Sequence, residues 1–255
     1  MSHQWDPTTY LAFADERTRP ASELLARVPN DKPRRVIDLG CGPGNSTALL
    51  RKRWPDAHLE GLDSSAEMIG QAQASGVGAE WSVADIAIWK PTASYDVIFS
   101  NATLHWIGEQ SSLLPRLFQA VCPGGTFAFQ VPLNFEMPSH ALIHAIANEG
   151  PWATRLRDVR NTNLLKAAQC FAILEPYAAV LDIWDTEYLH VLDGRDAVYR
   201  WISGTGLRPY VQALEGAERD AFVEEYKRRL DAAYPMRESG KTLLPFRRLF
   251  VVARR

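Results

Sequence analysis

Three aspartates in the first third of the chain each stand at or near the end of a short apolar run, and the first leads into a run of glycines. In Val36-Ile37-Asp38-Leu39-Gly40-Cys41-Gly42-Pro43-Gly44, the glycines follow Asp38 at every second position. Glycines spaced this way permit a tight turn and let a ligand approach the backbone closely. Between a strand and a helix, such a loop is where α/β folds bind nucleotides. The spacing also excludes two phosphate cradles. A dinucleotide fingerprint needs glycine or alanine where Asn45 stands, and no Gly-Lys-Ser/Thr follows to make a triphosphate-binding loop. Asp63 and Asp85 close the next two runs, His58 to Asp63 and Glu80 to Asp85.

A carboxylate ahead of a glycine turn suits an ammonium group better than a phosphate. The methionine part of S-adenosylmethionine presents such an ammonium, beside a carboxylate that a helix N-terminus tolerates. Asp38 can accept from it directly or through water. Asp63, 19 residues past Gly44, suits the ribose hydroxyls, as the acidic residue of dinucleotide folds does. Asp85 can accept from the exocyclic amine of adenine, with Ile86 and Met68 against the ring. Any one of these aspartates is as readily a cap or a strand end; three at successive strand ends point to a cofactor.

The elements that must position these residues alternate in type. Residues 1–34 read as an N-terminal helical cap, with Tyr10, Leu11, Phe13, Ala14, Leu24, Leu25 and Val28 at helical spacings and an interruption near Pro20. Strands are expected at 35–39, 58–63, 80–83, 95–100 and 126–131, the last after a Pro123-Gly124-Gly125 turn. Asn45-Ser46-Thr47 can cap a helix over 48–53. Ser64 with Glu67 has the capping-box spacing for a helix to about 75, and 113–121 is also helical. Strand and helix alternating through a cofactor-binding core, 35–133, argue for a mostly parallel sheet with helices on both faces, an α/β, Rossmann-like fold. Residues 134–180 read as a helical lid insertion. Residues 181–255 supply the rest of the sheet and the substrate-side helices: a strand from 180 to 190 with Trp184 and Tyr188 on one face, helices at 197–203 and 218–233, and a last strand at 249–253. The whole is expected to form a single domain.

Composition narrows the partners. The chain has 255 residues, 46% hydrophobic and 23% charged, with a net charge of −2. A nucleic-acid partner would call for a basic excess, and none is present. Arg247, Arg248, Arg254 and Arg255 make a small basic edge suited at most to an anionic small molecule. Cys41, Cys122 and Cys170 are too widely spaced for a disulfide framework or a metal site, which fits a reducing cytoplasm. The first residues lack the pattern of a signal peptide, and no apolar stretch approaches the ~20 residues that span a bilayer. The expected setting is cytoplasmic, with no membrane partner and no metal.

At the glycine loop the chain resembles the class I methyltransferases. Val36 to Gly44 matches their first motif. Gly61-Leu62-Asp63 and Ala84-Asp85-Ile86 look like the second and third, and Asp96 to Asn101 followed by Leu104-His105-Trp106 is similar to the fourth. The resemblance implies S-adenosylmethionine as cofactor and S-adenosylhomocysteine as product. It assigns their binding to Asp38, Gly40, Gly42, Gly44, Asn45, Asp63, Ser64, Met68, Asp85, Ile86 and Asn101, with Arg17 available for the methionine carboxylate. A narrower likeness extends over nearly the whole chain. Trp5-Asp6-Pro7, Tyr10-Leu11, Phe13, Glu16-Arg17, Arg19-Pro20-Ala21, Pro43 to Thr47, Arg53-Trp54-Pro55, Thr205 to Pro209 and Arg248-Leu249-Phe250 look like the trans-aconitate 2-methyltransferase family. That likeness implies methyl-ester formation on a tricarboxylate.

Methyl transfer from a sulfonium is an in-line displacement for which the protein chiefly supplies orientation. A carboxylate acceptor, with a pKa of about 4, is already ionised near neutral pH. No catalytic base is then required; His105 would take that role only for a hydroxyl or amine acceptor, and for a carboxylate it is a polar wall of the substrate pocket or a strand-end histidine. Arginine forks suit carboxylates. Arg208 is the first candidate, then Arg248, with Arg17 or Arg19 behind them. Trp5, Tyr10, Trp106, Trp184 and Trp201 are candidates to wall the pocket, and Asn134 and His140 follow the fifth strand. The alternatives are a methyltransferase for another small acid or a hydroxyl, a non-catalytic cofactor-binding module, and an NAD-dependent oxidoreductase, which Asn45 counts against.

Overall fold

The computed structural model describes residues 14–159 and 165–255, with side chains from residue 18 onward. Trp5, Tyr10 and the side chain of Arg17 lie outside the described residues.

The chain begins with helix α1 (Ala14–Arg27) and then alternates: β1 (Arg35–Leu39), α2 (Asn45–Arg53), β2 (His58–Asp63), α3 (Ala66–Ala74), β3 (Glu80–Val83), β4 (Tyr95–Asn101), α4 (Gln110–Gln119) and β5 (Val121–Pro132). A short 3-10 turn, Leu104–Trp106, follows β4. Beyond β5 come α5 (Pro138–Glu149), α6 (Ala153–Leu156), α7 (Ala167–Leu174), β6 (Val180–Asp193), α8 (Ala197–Ser203), α9 (Arg208–Gln212), α10 (Gly216–Ala233) and β7 (Lys241–Arg254). The sheet order is β3-β2-β1-β4-β5-β7-β6. Strands β1 to β5 run parallel, and β7 runs antiparallel to β5, pairing Thr126 with Arg254 through to Pro132 with Arg248. The chain winds outward from β1 to β3 and then restarts on the other side at β4. This reversal is the switch point where open α/β sheets bind ligands.

The described residues fall into two compact units. The sheet unit takes in 15–132, 165–186 and 248–255. Its central strands are buried on both faces, as parallel strands covered by helices must be: Val36, Ile37, Leu39, Val97, Ile98, Phe99, Phe127 and Phe129 are almost wholly inaccessible. The second unit takes in 133–159 and 187–247. It has its own core, in which Trp152 meets Phe222 edge-on at 5.1 Å and Trp201 packs with His190 and Phe246. The stretch expected as one insertion, 134–180, is thus divided between the units.

Several boundaries differ from expectation for identifiable reasons. Helix α1 runs through Pro20. Burial of Ala21, Leu24 and Leu25 on one face opposes the ~3 kcal/mol that an interior proline costs. Asn45, Ser46 and Thr47 do not cap α2 from outside; Gly44, left-handed at φ 95°, is the N-cap, and the three residues form the first turn. The cap of α3 is Ser65, whose hydroxyl accepts from Met68 N, one residue later than the Ser64–Glu67 spacing implied. The Pro123-Gly124-Gly125 turn is a bulge within β5, marked by a register shift opposite Tyr95–Val97. Strand β7 has 14 residues rather than a short terminal run, because its first half alternates exposed and buried residues around Pro245.

Candidate functional site

The glycine loop leaves β1 at its C-terminal end, and the carboxylates gather at that end of the sheet. Leu39 pairs with Leu62, and Asp63 pairs with Val83, so the tips of β1, β2 and β3 are neighbours. Asp38 is inaccessible to solvent. Its Oδ2 accepts from the hydroxyls of Ser46 and Thr47, both at 2.7 Å, while Oδ1 has no hydrogen-bond partner among the described residues. Burial pushes its pKa up to about 6; the two hydroxyl bonds pull it down, and the nearby charge of Asp63 adds to the rise. Ser46 and Thr47, assigned to capping from sequence, are therefore the groups that hold this carboxylate.

Asp63 ties the loop together. One oxygen accepts from Gly42 N at 3.0 Å and the other from Ser65 N at 2.9 Å, joining the tip of β2 to the glycine turn and to the start of α3. Asp85 lies two residues past β3, is exposed, and accepts from Ala87 N at 2.8 Å. Met68 and Ile86 are buried, whereas Asn45 and Ser64 are exposed.

The glycines have separate reasons to be glycine. Gly40 (φ 72°) carries the close approach: a Cβ there would fall 2.1 Å from the Thr103 side chain. Thr103 in turn donates from Oγ1 to Gly40 O at 3.1 Å, so the segment after β4 is fastened to the loop after β1. Gly42 (φ 53°) has nothing within 4 Å of the position a Cβ would take, leaving open space beside the turn. Trp81, on β3, lies 2.4 Å from the place where a Cβ of Gly61 would stand and 3.1 Å from that of Gly44. Neither Thr103 nor Trp81 was singled out from sequence. The pairing of β3 with β2 brings in Trp81, and the segment after β4 brings in Thr103.

At the tip of β4, Asn101 accepts from Gln130 Nε2, and Gln130 Oε1 accepts from Arg248 Nη1 at 3.2 Å. This polar row crosses β4, β5 and β7. Gln130 and Arg248 are buried in it, so the Arg248 side chain is engaged within the sheet. His105 is buried with its ring 4.7 Å from that of Trp106, which is exposed.

The remaining substrate candidates lie in the second unit. Arg208 is half-buried at the start of α9. Asn134 is buried and accepts from Arg247 N at 2.7 Å, clamping the backbone of β7. His140 is buried in the first turn of α5. The tryptophans divide: Trp184, half-buried in the sheet unit, stacks on Phe250 at 4.9 Å with Arg27 over its ring, and Trp201 belongs to the second core. A hollow in the second unit, lined in part by Asp196, Tyr199, Lys227 and Tyr234, contains none of the residues singled out from sequence. Among the described residues no cluster has the composition of a metal site, and no helix is long and apolar enough to cross a membrane.

Comparison with known proteins agrees with this geometry. A family model described as a methyltransferase domain matches residues 13–172. A trans-aconitate 2-methyltransferase from Azoarcus sp. (strain BH72) is 48% identical over 250 residues, covering 98% of each chain. One from Paracidovorax citrulli (strain AAC00-1) is 46% identical, covering 99% of each. Among solved structures, an S-adenosylmethionine-dependent methyltransferase from Mesorhizobium loti has the same fold, with a TM-score of 0.53 at 23% identity, covering 93% of this chain and all of that one. A reversing parallel sheet with a glycine turn and carboxylates at its switch point, together with these full-length likenesses, shows that the chain belongs to the S-adenosylmethionine-dependent methyltransferases, in the trans-aconitate 2-methyltransferase family.

Proposed function

We propose that the protein forms a monomethyl ester on a carboxylate of trans-aconitate. The observation that carries the reading is the full-length likeness to relatives of that name, at 48% identity for the Azoarcus protein. When bound, S-adenosylmethionine supplies a methyl group already activated by a positively charged sulfur.

The sheet unit fits that cofactor. Asp38 Oδ1, buried and without a partner among the described residues, is an acceptor for the methionine ammonium, and that charge would offset the penalty of ionising Asp38. The open side of Gly42 admits a ligand against the backbone. Asp63 uses one lone pair per oxygen on backbone N–H groups and keeps the others for the ribose hydroxyls. Asp85 accepts from the adenine amine, with Ile86 and Met68 against the ring. Gly40, Gly44, Asn45, Ser64 and Asn101 shape the surrounding turns.

On the acid side, Arg208 leads, with Asn134 of the same unit as a further contact. The acceptor is ionised near neutral pH, so the residues need only orient one carboxylate and hold the others. His105 has no proton to remove in this reaction. Three free cysteines fit a reducing compartment, the cytoplasm.

Labelled methyl transfer to trans-aconitate, cis-aconitate and citrate tests the reading. The expected product is a base-labile ester formed with strong preference for trans-aconitate. Equal transfer to all three acids, or none to trans-aconitate, overturns it. Arg208→Ala is expected to raise the KM for the acid about 10- to 100-fold, the loss of one charge-assisted contact, while cofactor affinity stays unchanged.

A further inference from the structure

The turn between α8 and α9 packs against a histidine that no role yet described uses. A Cβ added to Gly206 would meet His140 Nε2 at 2.9 Å and Cδ2 at 3.0 Å, so the imidazole edge occupies the space that any side chain there would need. Gly206 has no positive φ that would demand glycine for backbone reasons; contact with His140 is what distinguishes it. Arg208 follows two residues later, with its backbone N bonded to Thr205 O at 3.2 Å.

His140 is held from behind. Its Nδ1 lies 3.1 Å from Ser139 Oγ, and its ring packs 5.3 Å from that of Phe135. Ser139 is itself fixed, accepting from Tyr226 OH through its carbonyl at 2.6 Å and donating from its N to Tyr234 OH at 3.1 Å. The Ser139 hydroxyl is placed to donate to Nδ1, and in that arrangement the ring proton resides on Nε2. Burial, with His144 adding a smaller effect, holds the His140 pKa down to about 4, which keeps the ring neutral at physiological pH. His144 Nδ1 lies 2.9 Å from Tyr210 OH. The result is a neutral, oriented N–H donor, more than nine-tenths buried, with no partner for Nε2 among the described residues.

We propose that His140 Nε2 donates a hydrogen bond to a carboxylate of the acid substrate at the Gly206 turn, so that His140, Gly206 and Arg208 together form the acid-recognition element of the second unit. A neutral donor on one carboxylate oxygen, with an arginine two residues past the turn, suits a polyanion, because it binds without placing a second full charge against the reacting oxygen. Ser139 is the positioning residue that fixes the donor tautomer. The inference rests on the reading that the substrate is a tricarboxylate.

The test is calorimetric titration of trans-aconitate into protein saturated with S-adenosylhomocysteine, where no turnover occurs. His140→Phe, which keeps the bulk and removes the donor, is expected to weaken acid binding about tenfold or more with the affinity for S-adenosylhomocysteine unchanged. His140→Gln, which restores an N–H, is expected to recover part of the loss. Gly206→Ala displaces the imidazole without removing it and is expected to weaken acid binding as well. If His140→Phe binds trans-aconitate as tightly as the wild type, the proposal falls while the substrate reading stands. If the wild type binds no trans-aconitate, both fall together. Equal weakening in the Phe and Gln variants overturns the hydrogen-bond role, leaving the histidine a packing residue.

Discussion

Asp38 is poorly suited to stability, a cost that its proposed role in binding would explain. A carboxylate with no solvent contact carries a desolvation penalty, and two hydroxyl donors on Oδ2 offset only part of it. With its pKa raised from 3.8 to about 6, the folded protein binds more protons than the unfolded chain between those values. Stability from this group therefore falls as pH rises from about 4 to 6, and the full penalty of about 3 kcal/mol is present above 6. An asparagine in its place would not titrate, and the amide oxygen can still accept from both hydroxyls. Asp38→Asn is expected to remove this slope: relative to wild type, the variant should gain about 3 kcal/mol between pH 4 and 7 in urea unfolding. Its affinity for S-adenosylhomocysteine should fall at the same time. Parallel wild-type and variant stability curves across that range would show that Asp38 ionises normally.

At the scale of elements, the site depends on fastening the segment after β4 to the loop after β1. Gly40 and Thr103 are that fastening, and they are 63 positions apart. Gly40→Ala brings both a Cβ at 2.1 Å from Thr103 and a left-handed φ of 72°. Left-handed backbone costs an L-residue about 1–2 kcal/mol and overpacking a further 1–3. Denaturant unfolding should show a loss of about 2–5 kcal/mol in the single variant. Adding Thr103→Ala should return the steric share and leave the backbone share. No recovery in the double variant would mean that Thr103 is not the obstacle. The same pair marks the limit of what spacing reveals. Strands β1, β2 and β3 were legible to the residue, because their apolar runs end at glycine, aspartate or alanine. The places of the glycine loop between β1 and α2 and of Asp38, Asp63 and Asp85 at or just past strand ends were legible because each lies in a contiguous motif. Thr103, Trp81 and Gln130 were not, since each acts through contacts with segments far away in sequence that local sequence does not encode. Helix α9 and the first half of β7 were missed for a related reason. Each contains a proline that does not end its element: a proline in the first turn of a helix loses no hydrogen bond, and burial alternates around Pro245.

At the scale of the whole molecule, the proposed ligand contacts sort by unit. The residues suited to the cofactor, Asp38, Asp63 and Asp85, belong to the sheet unit, while His140, Gly206 and Arg208 belong to the second, which has a core of its own around Trp152, Trp201 and Phe222. A ligand stabilises the conformation it binds, by about 2.7 kcal/mol at a hundred times its Kd, and the gain appears first in local openings around the groups it touches. S-adenosylhomocysteine alone should therefore slow amide exchange over 38–47 and 63–68, where the loop and the start of α3 hang on Asp38 and Asp63 through side-chain bonds. Trans-aconitate added afterwards should slow exchange over 139–144 and 205–210, the segments held through Ser139, His140 and Arg208. Hydrogen exchange followed by mass spectrometry resolves peptides of this length. If S-adenosylhomocysteine alone protects 205–210 as strongly as 38–47, recognition of the two ligands is not divided in this way. If the acid protects only the glycine loop, the second unit plays no part in choosing the acceptor, and its arginine and histidine serve only to pack α5 against the turn before α9.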